Sequence, residues 1–246
     1  MSARPAAAWP TPATAAAVGL IVLYLLVQLA IGTLGVQWLE PAHALPLSAG
    51  ATAALAVTAV GAAALTVVLL AHWRWPLLWS RDMPPGFGFT RPHDYRWLLA
   101  AVAVGLLAPW LGGVVTHVLA RGHEVGQNVE QIVRHAPLGG RIALAVLAVS
   151  VAPVAEELLF RGVLLSALIP RCGLRVAALL SAAAFAAIHL PGLGWHWYAL
   201  PQLLLLGIAL VWLRVRGRSL WPAVLAHGVH NALALGVLFS LISGVG

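Results

Sequence analysis

Residues 152–162 read APVAEELLFRG and sit inside one of the most apolar parts of the chain, yet they carry Glu156, Glu157 and Arg161. A charge near the middle of a bilayer costs at least ~2.5–3.5 kcal/mol, so three together need a reason. Taken as helix, Glu157 and Arg161 are i,i+4 with the acid first, the favourable order for an ion pair. Glu156 is turned by about 100° from Glu157 and is expected to look onto a different face, free for chemistry. The bland alternative is that all three join helices together. Other polar groups lie in apolar surroundings: His189 in FAAIHLPG, with Phe185 one turn before it, and His227 and Asn231 in HGVHN, i,i+4 on one face, with His230 close to that face.

Counting from neighbouring basic loops at the helical rise, Glu156 and His189 each lie about 21 Å deep and His227 and Asn231 roughly 12 to 18 Å. Three helices thus bring Glu, His, His and Asn to similar depths. A carboxylate beside a neutral imidazole can position and deprotonate a water. A His and an Asn on an adjoining face can donate to a developing oxyanion. Together they suit amide hydrolysis. No cysteine and no Gly-x-Ser-x-Gly turn offers a rival nucleophile at this depth; Cys172, the one cysteine, reads as an ordinary loop thiol. Glu156, His189 and His227 are also a possible zinc set, since two His and one Glu form a known catalytic ligand group.

The elements that must position these residues are membrane helices. Only 9% of the 246 residues are charged and 61% are hydrophobic, where a soluble domain carries roughly 25% charged residues. The net charge of +7 comes from arginines alone. They lie mostly in loops between apolar runs, a topology signal and not a nucleic-acid footprint. Spans of roughly 20 apolar residues are expected at about 13–35, 49–72, 97–119, 142–169, 175–190, 197–214 and 219–242. The fold class expected is therefore all-α, a polytopic transmembrane bundle of about seven spans. The Arg-rich loops at 73–96, 170–175 and 214–218 alternate with Arg-free ones, placing the N-terminus inside and the C-terminus outside. Segment 120–141 breaks the pattern and suggests an interfacial helix, with Glu130 and Arg134 paired. Trp73, Trp75, Trp97, Trp195, Trp197, Trp212 and Trp221 fall at span ends and read as an aromatic belt.

The strings EELLFR, FAAIH and HGVHN match, in order, the motifs EExxxR, FxxxH and HxxxN. The chain thereby resembles the CAAX-protease and bacteriocin-processing membrane proteases, the family that includes the Ras-converting enzyme. The resemblance covers about residues 142–235 and divides the chain into 1–140, three spans without a motif, and 141–246, a catalytic core. It implies that Glu156 and His189 activate water, that His227 and Asn231 form an oxyanion hole, and that Glu157, Arg161 and Phe185 support them. The family has been described both as metalloproteases and as metal-independent glutamate proteases; we favour the second, leaving Glu156, His189 and His227 as ligands if zinc is used. The implied partners are a membrane-anchored protein or peptide substrate and the lipid bilayer, with no nucleic acid, in a bacterial inner membrane. Two other readings are a non-catalytic scaffold or bacteriocin-immunity protein, and a proton-coupled transporter, against which the lack of two similar halves counts.

Overall fold

The computed structural model describes residues 11–39, 47–121 and 128–243, and among them there is no strand. Arg4 and Glu124, which entered the charge count above, lie outside the described residues. The helices are α1 (Thr14–Leu39), α2 (Ala49–Arg74), the short α3 (Pro76–Trp79), α4 (Arg96–Ala120) and α5 (Asn128–His135). A long helical run follows from Leu138 to His189, then one from Leu200 to Gly217 and a last from Trp221 to Ser243. Six runs are long and apolar enough to cross a membrane, against seven expected.

The difference lies at Gly173, which interrupts the 138–189 run with φ 72° and ψ 166°. That positive φ is a conformation glycine adopts at no steric cost. We call the two limbs α6 (138–172) and α7 (174–189), and the remaining helices α8 (Leu200–Gly217) and α9 (Trp221–Ser243). The limbs lie antiparallel. Ser181 Oγ donates to Phe160 O at 2.8 Å, the Phe160 and Phe185 rings meet edge to face at 5.5 Å, and His189 comes level with Glu156. The seven expected spans therefore correspond to seven apolar limbs, two of which share one bent helix.

Sequence chemistry accounts for the ends. Ser48 caps α2, its hydroxyl accepting from Ala51 N at 3.2 Å, as N-cap serines do. The expected interfacial helix is α5, where Arg134 holds Glu130 at 2.6 Å. Leucines point outward along α1 (Leu26, Leu29, Leu34), α2 (Leu65, Leu69) and α4 (Leu99, Leu107). Such a surface suits lipid and would be unsatisfactory in water. Inside, one core cluster joins Leu20 and Tyr24 of α1, Ala64 and Val67 of α2, Leu159 and Val163 of α6, Phe185 of α7, Leu206 and Leu210 of α8, and Ala226 of α9.

Two loop features depart from the sequence reading. Arg214, counted as a loop charge, is fully buried; it donates to Asp82 O at 2.5 Å and Gly86 O at 2.7 Å. Trp75 is buried as well, its ring edge to face with Phe87 at 6.0 Å. Beside it Trp79 stacks on Phe89 at 4.3 Å. The segment 75–90 is thus a packed aromatic cap on the ends of α8 and α9. Asp82 also pairs with Arg218 at 2.5 Å, and this guanidinium holds its carboxyl below the usual range.

The α7–α8 contact depends on Gly207. A Cβ there would lie 2.9 Å from Ala182 Cβ and 3.0 Å from its Cα, closer than packed atoms tolerate. We expect Gly207→Ala to cost about 1–3 kcal/mol through overpacking, read as a lower melting temperature in detergent. An unchanged melting temperature would show that the two helices can part freely.

Candidate active site

The site begins with a register change in α6. Ala152 N–H bonds to Leu147 O, five residues back, and the stretch Leu147–Val151 is π-helical. In that register the donor to Ala148 O would be the N–H of residue 153, which is Pro153 and has none. Ala148 O is left without a partner inside its own helix. Asn231 Nδ2 supplies one from α9 at 2.8 Å. Gly228, one turn before, lets α9 come against Val149 O, where a Cβ would clash. A second π stretch, Leu158–Leu164, follows the glutamates. Ala152–Glu157 is therefore a short α segment between two π stretches, an arrangement frequent at functional sites.

Within it the two carboxylates have different surroundings. Glu157 is fully buried; its Oε1 accepts from Arg161 NH1 at 2.9 Å and lies 3.0 Å from His227 Nδ1. The i,i+4 pair expected from spacing is present. Arg161 is buried too. It gives NH2 to Gly207 O at 3.2 Å and stands over the Phe185 ring at 4.4 Å, a favourable cation–π contact in a dry site. Phe185 also packs against both imidazoles, 4.7 Å from the ring of His189 and 5.4 Å from that of His227.

The Glu156 side chain retains 12% of its exposure, and His189 beside it 32%. This is the side from which the site can be reached. Glu156 Oε2 lies 3.8 Å from His189 Nε2 and 3.8 Å from His227 Nε2. Those separations exceed a direct hydrogen bond, and each is within the reach of one bridging water. Each ring is anchored through its other nitrogen: His189 Nδ1 on Phe185 O at 2.7 Å, and His227 Nδ1 on Glu157 Oε1. Such a bond fixes the ring and leaves Nε2 to face the site.

The structure therefore brings together Glu156, Glu157, Arg161, Phe185, His189 and His227. Asn231 is one turn from His227 but spends one amide N–H on Ala148 O. The two glutamates have different partners, Tyr24 for Glu156 and Arg161 for Glu157. One imidazole, His227, nevertheless stands between them, because it reaches Glu157 through Nδ1 and Glu156 through Nε2. Reading the sequence missed Tyr24. From α1, a helix without a motif, its hydroxyl donates to Glu156 Oε1 at 3.2 Å. His230 is buried on α9, and its Nδ1 has no hydrogen-bond partner among the described residues.

Glu156, His189 and His227 have the donor types of a zinc set. However, no three His, Cys, Asp or Glu side chains among the described residues are arranged to hold a metal ion. We derive no step through one.

Residues 138–233 match the family model of type II CAAX prenyl endopeptidases, Rce1-like. No curated protein and no solved structure matches the chain. The matched segment opens at the first residue of α6 and closes two residues beyond Asn231, so it holds both glutamates, His189, His227 and Asn231. Over that segment the chain is similar to the Rce1-like type II CAAX prenyl endopeptidases.

Proposed function

We propose that the protein is an intramembrane endopeptidase that cuts a peptide bond in a membrane-anchored protein or peptide, using a water activated by Glu156 and His189. The observation that carries this reading is the 3.8 Å approach of Glu156 Oε2 to two imidazole nitrogens whose rings are fixed from behind. With Nδ1–H given to Phe185 O, the Nε2 of neutral His189 is an acceptor. A water between it and Glu156 Oε2 donates to both and keeps a lone pair for the scissile carbonyl. Glu156 takes the proton as the water adds and returns it to the leaving nitrogen.

The oxyanion that forms needs donors. His227, anchored through Nδ1 on Glu157, turns Nε2 towards the site, and a proton there would be a donor for the oxyanion. Asn231 has a second amide hydrogen beyond the one given to Ala148 O. Arg161 offsets the buried charge of Glu157 in a medium where an unpaired one is expensive. Glu157, Arg161 and Phe185 hold His227 in place.

The test is cleavage of a library of membrane-anchored peptides, with and without lipid anchors, by purified protein in bilayer discs, each with and without chelator. We expect cleavage that chelator leaves unchanged. Cleavage lost to chelator and restored by added zinc would make Glu156, His189 and His227 ligands of a metalloendopeptidase. No cleavage of any peptide would leave the motif a helix-joining device of a scaffold or immunity protein.

A further inference from the structure

Tyr24 lies on α1, outside the segment that matches the family, and is 2% exposed. A buried phenol needs a partner for its O–H, and the partner here is Glu156 Oε1 at 3.2 Å. A carboxylate has only acceptors, so the direction of this bond is fixed. The backbone at this point is held from one turn further along α1, where Gln28 Nε2 donates to Tyr24 O at 3.3 Å.

The two oxygens of Glu156 thereby receive different assignments. Oε1 is held by the phenol, and Oε2 lies 3.8 Å from each imidazole Nε2. The last torsion of a glutamate is soft and roughly two-fold. Arg161 and His227 Nδ1 both hold the other glutamate, Glu157. Among the described residues Tyr24 donates the one hydrogen bond to Glu156, and so limits rotation of its carboxylate.

We propose that Tyr24 is a positioning residue for the reaction: its hydroxyl holds Oε1 of Glu156 so that Oε2 is presented to the water and to both imidazoles. The inference rests on Glu156 being the base. It makes α1 part of the catalytic assembly and not merely a lipid-facing wall.

The experiment uses the full chain in bilayer discs and a membrane-anchored peptide that the parent protein cuts. Tyr24→Phe keeps the ring and removes only the hydroxyl. We expect kcat to fall about tenfold to a hundredfold, the scale of a small misplacement of a reacting group, with KM within about twofold and the melting temperature unchanged. Tyr24→3-fluorotyrosine keeps the donor and is expected to restore most of kcat. A Tyr24→Phe protein with parental kcat overturns the proposal. So does one whose activity and melting temperature fall in proportion, because the hydroxyl then serves the fold alone. A fluorotyrosine variant as slow as the Phe variant overturns it too, since ring fit would then govern the rate. Glu156→Gln separates the two levels. If that protein cuts at the parental rate, the base is wrong and the Tyr24 role falls with it. If it is inactive while Tyr24→Phe is fully active, only the Tyr24 role is lost.

Discussion

The Glu156→Gln protein is expected to cut its peptide about 10²–10⁴-fold more slowly than the parent chain, the usual contribution of a general base, while melting at the same temperature. The change keeps side-chain length and removes the proton acceptor. Its structural cost is small for three reasons. Glu156 has no arginine partner among the described residues, its link to each imidazole is 3.8 Å long, and Gln can still accept from Tyr24 through its carbonyl oxygen. Single-turnover cleavage together with thermal unfolding checks both halves. A Glu156→Gln protein that retains parental cleavage removes Glu156 from the chemistry.

The neighbouring glutamate is expected to behave in the opposite way. Glu157→Gln strips the countercharge from Arg161, which is fully buried with its Nε already unpartnered. Breaking a buried pair from one side costs roughly 3–5 kcal/mol, so the melting temperature should fall markedly. Arg161→Leu should resemble it and also frees Gly207 O. The double change Glu157→Gln with Arg161→Leu removes both charges and should recover part of the stability, because no unpaired charge is left in the core. Cleavage should stay low in all three, since His227 Nδ1 has lost or altered its anchor on Glu157. The stability part is decided by melting temperatures of the four proteins. A fully stable but inactive Glu157→Gln, combined with an active Glu156→Gln, would exchange the roles of the two acids.

How much of this was legible depended on distance along the chain. The Glu157–Arg161 pair is an i,i+4 relation within one helix, and spacing alone predicts it. The shared depth of Glu156, His189 and His227 followed from counting residues at a known rise, because helices crossing one bilayer have a common ruler. Contacts between helices were out of reach, since they depend on rotation and tilt. Nothing in the spacing of Tyr24 sets it apart from an aromatic packed among leucines. That His227 would stand between both glutamates could not come from the rotation of the acids alone, as α9 supplies the imidazole. The amide of Asn231 went to Ala148 O because Pro153 and a π register together orphan that carbonyl. The proline was visible, but the register was not. Arg214 was read by its place in a basic loop, although its guanidinium is buried against the carbonyls of Asp82 and Gly86.

The site draws its groups from four helices, α1, α6, α7 and α9. The α7 limb covers 174–189, about 24 Å at the helical rise, shorter than the ~30 Å hydrocarbon layer. Bent back at Gly173, it forms one hairpin with α6 that carries both Glu156 and His189. His227 is supplied by α9, which follows that hairpin and α8 in the chain. Without α9, Glu157 would have Arg161 but no imidazole beside it, and the proposed oxyanion donors His227 and Asn231 would be missing. The groups proposed to activate water and to hold the oxyanion therefore stand together only once α9 has docked against α6 and α7.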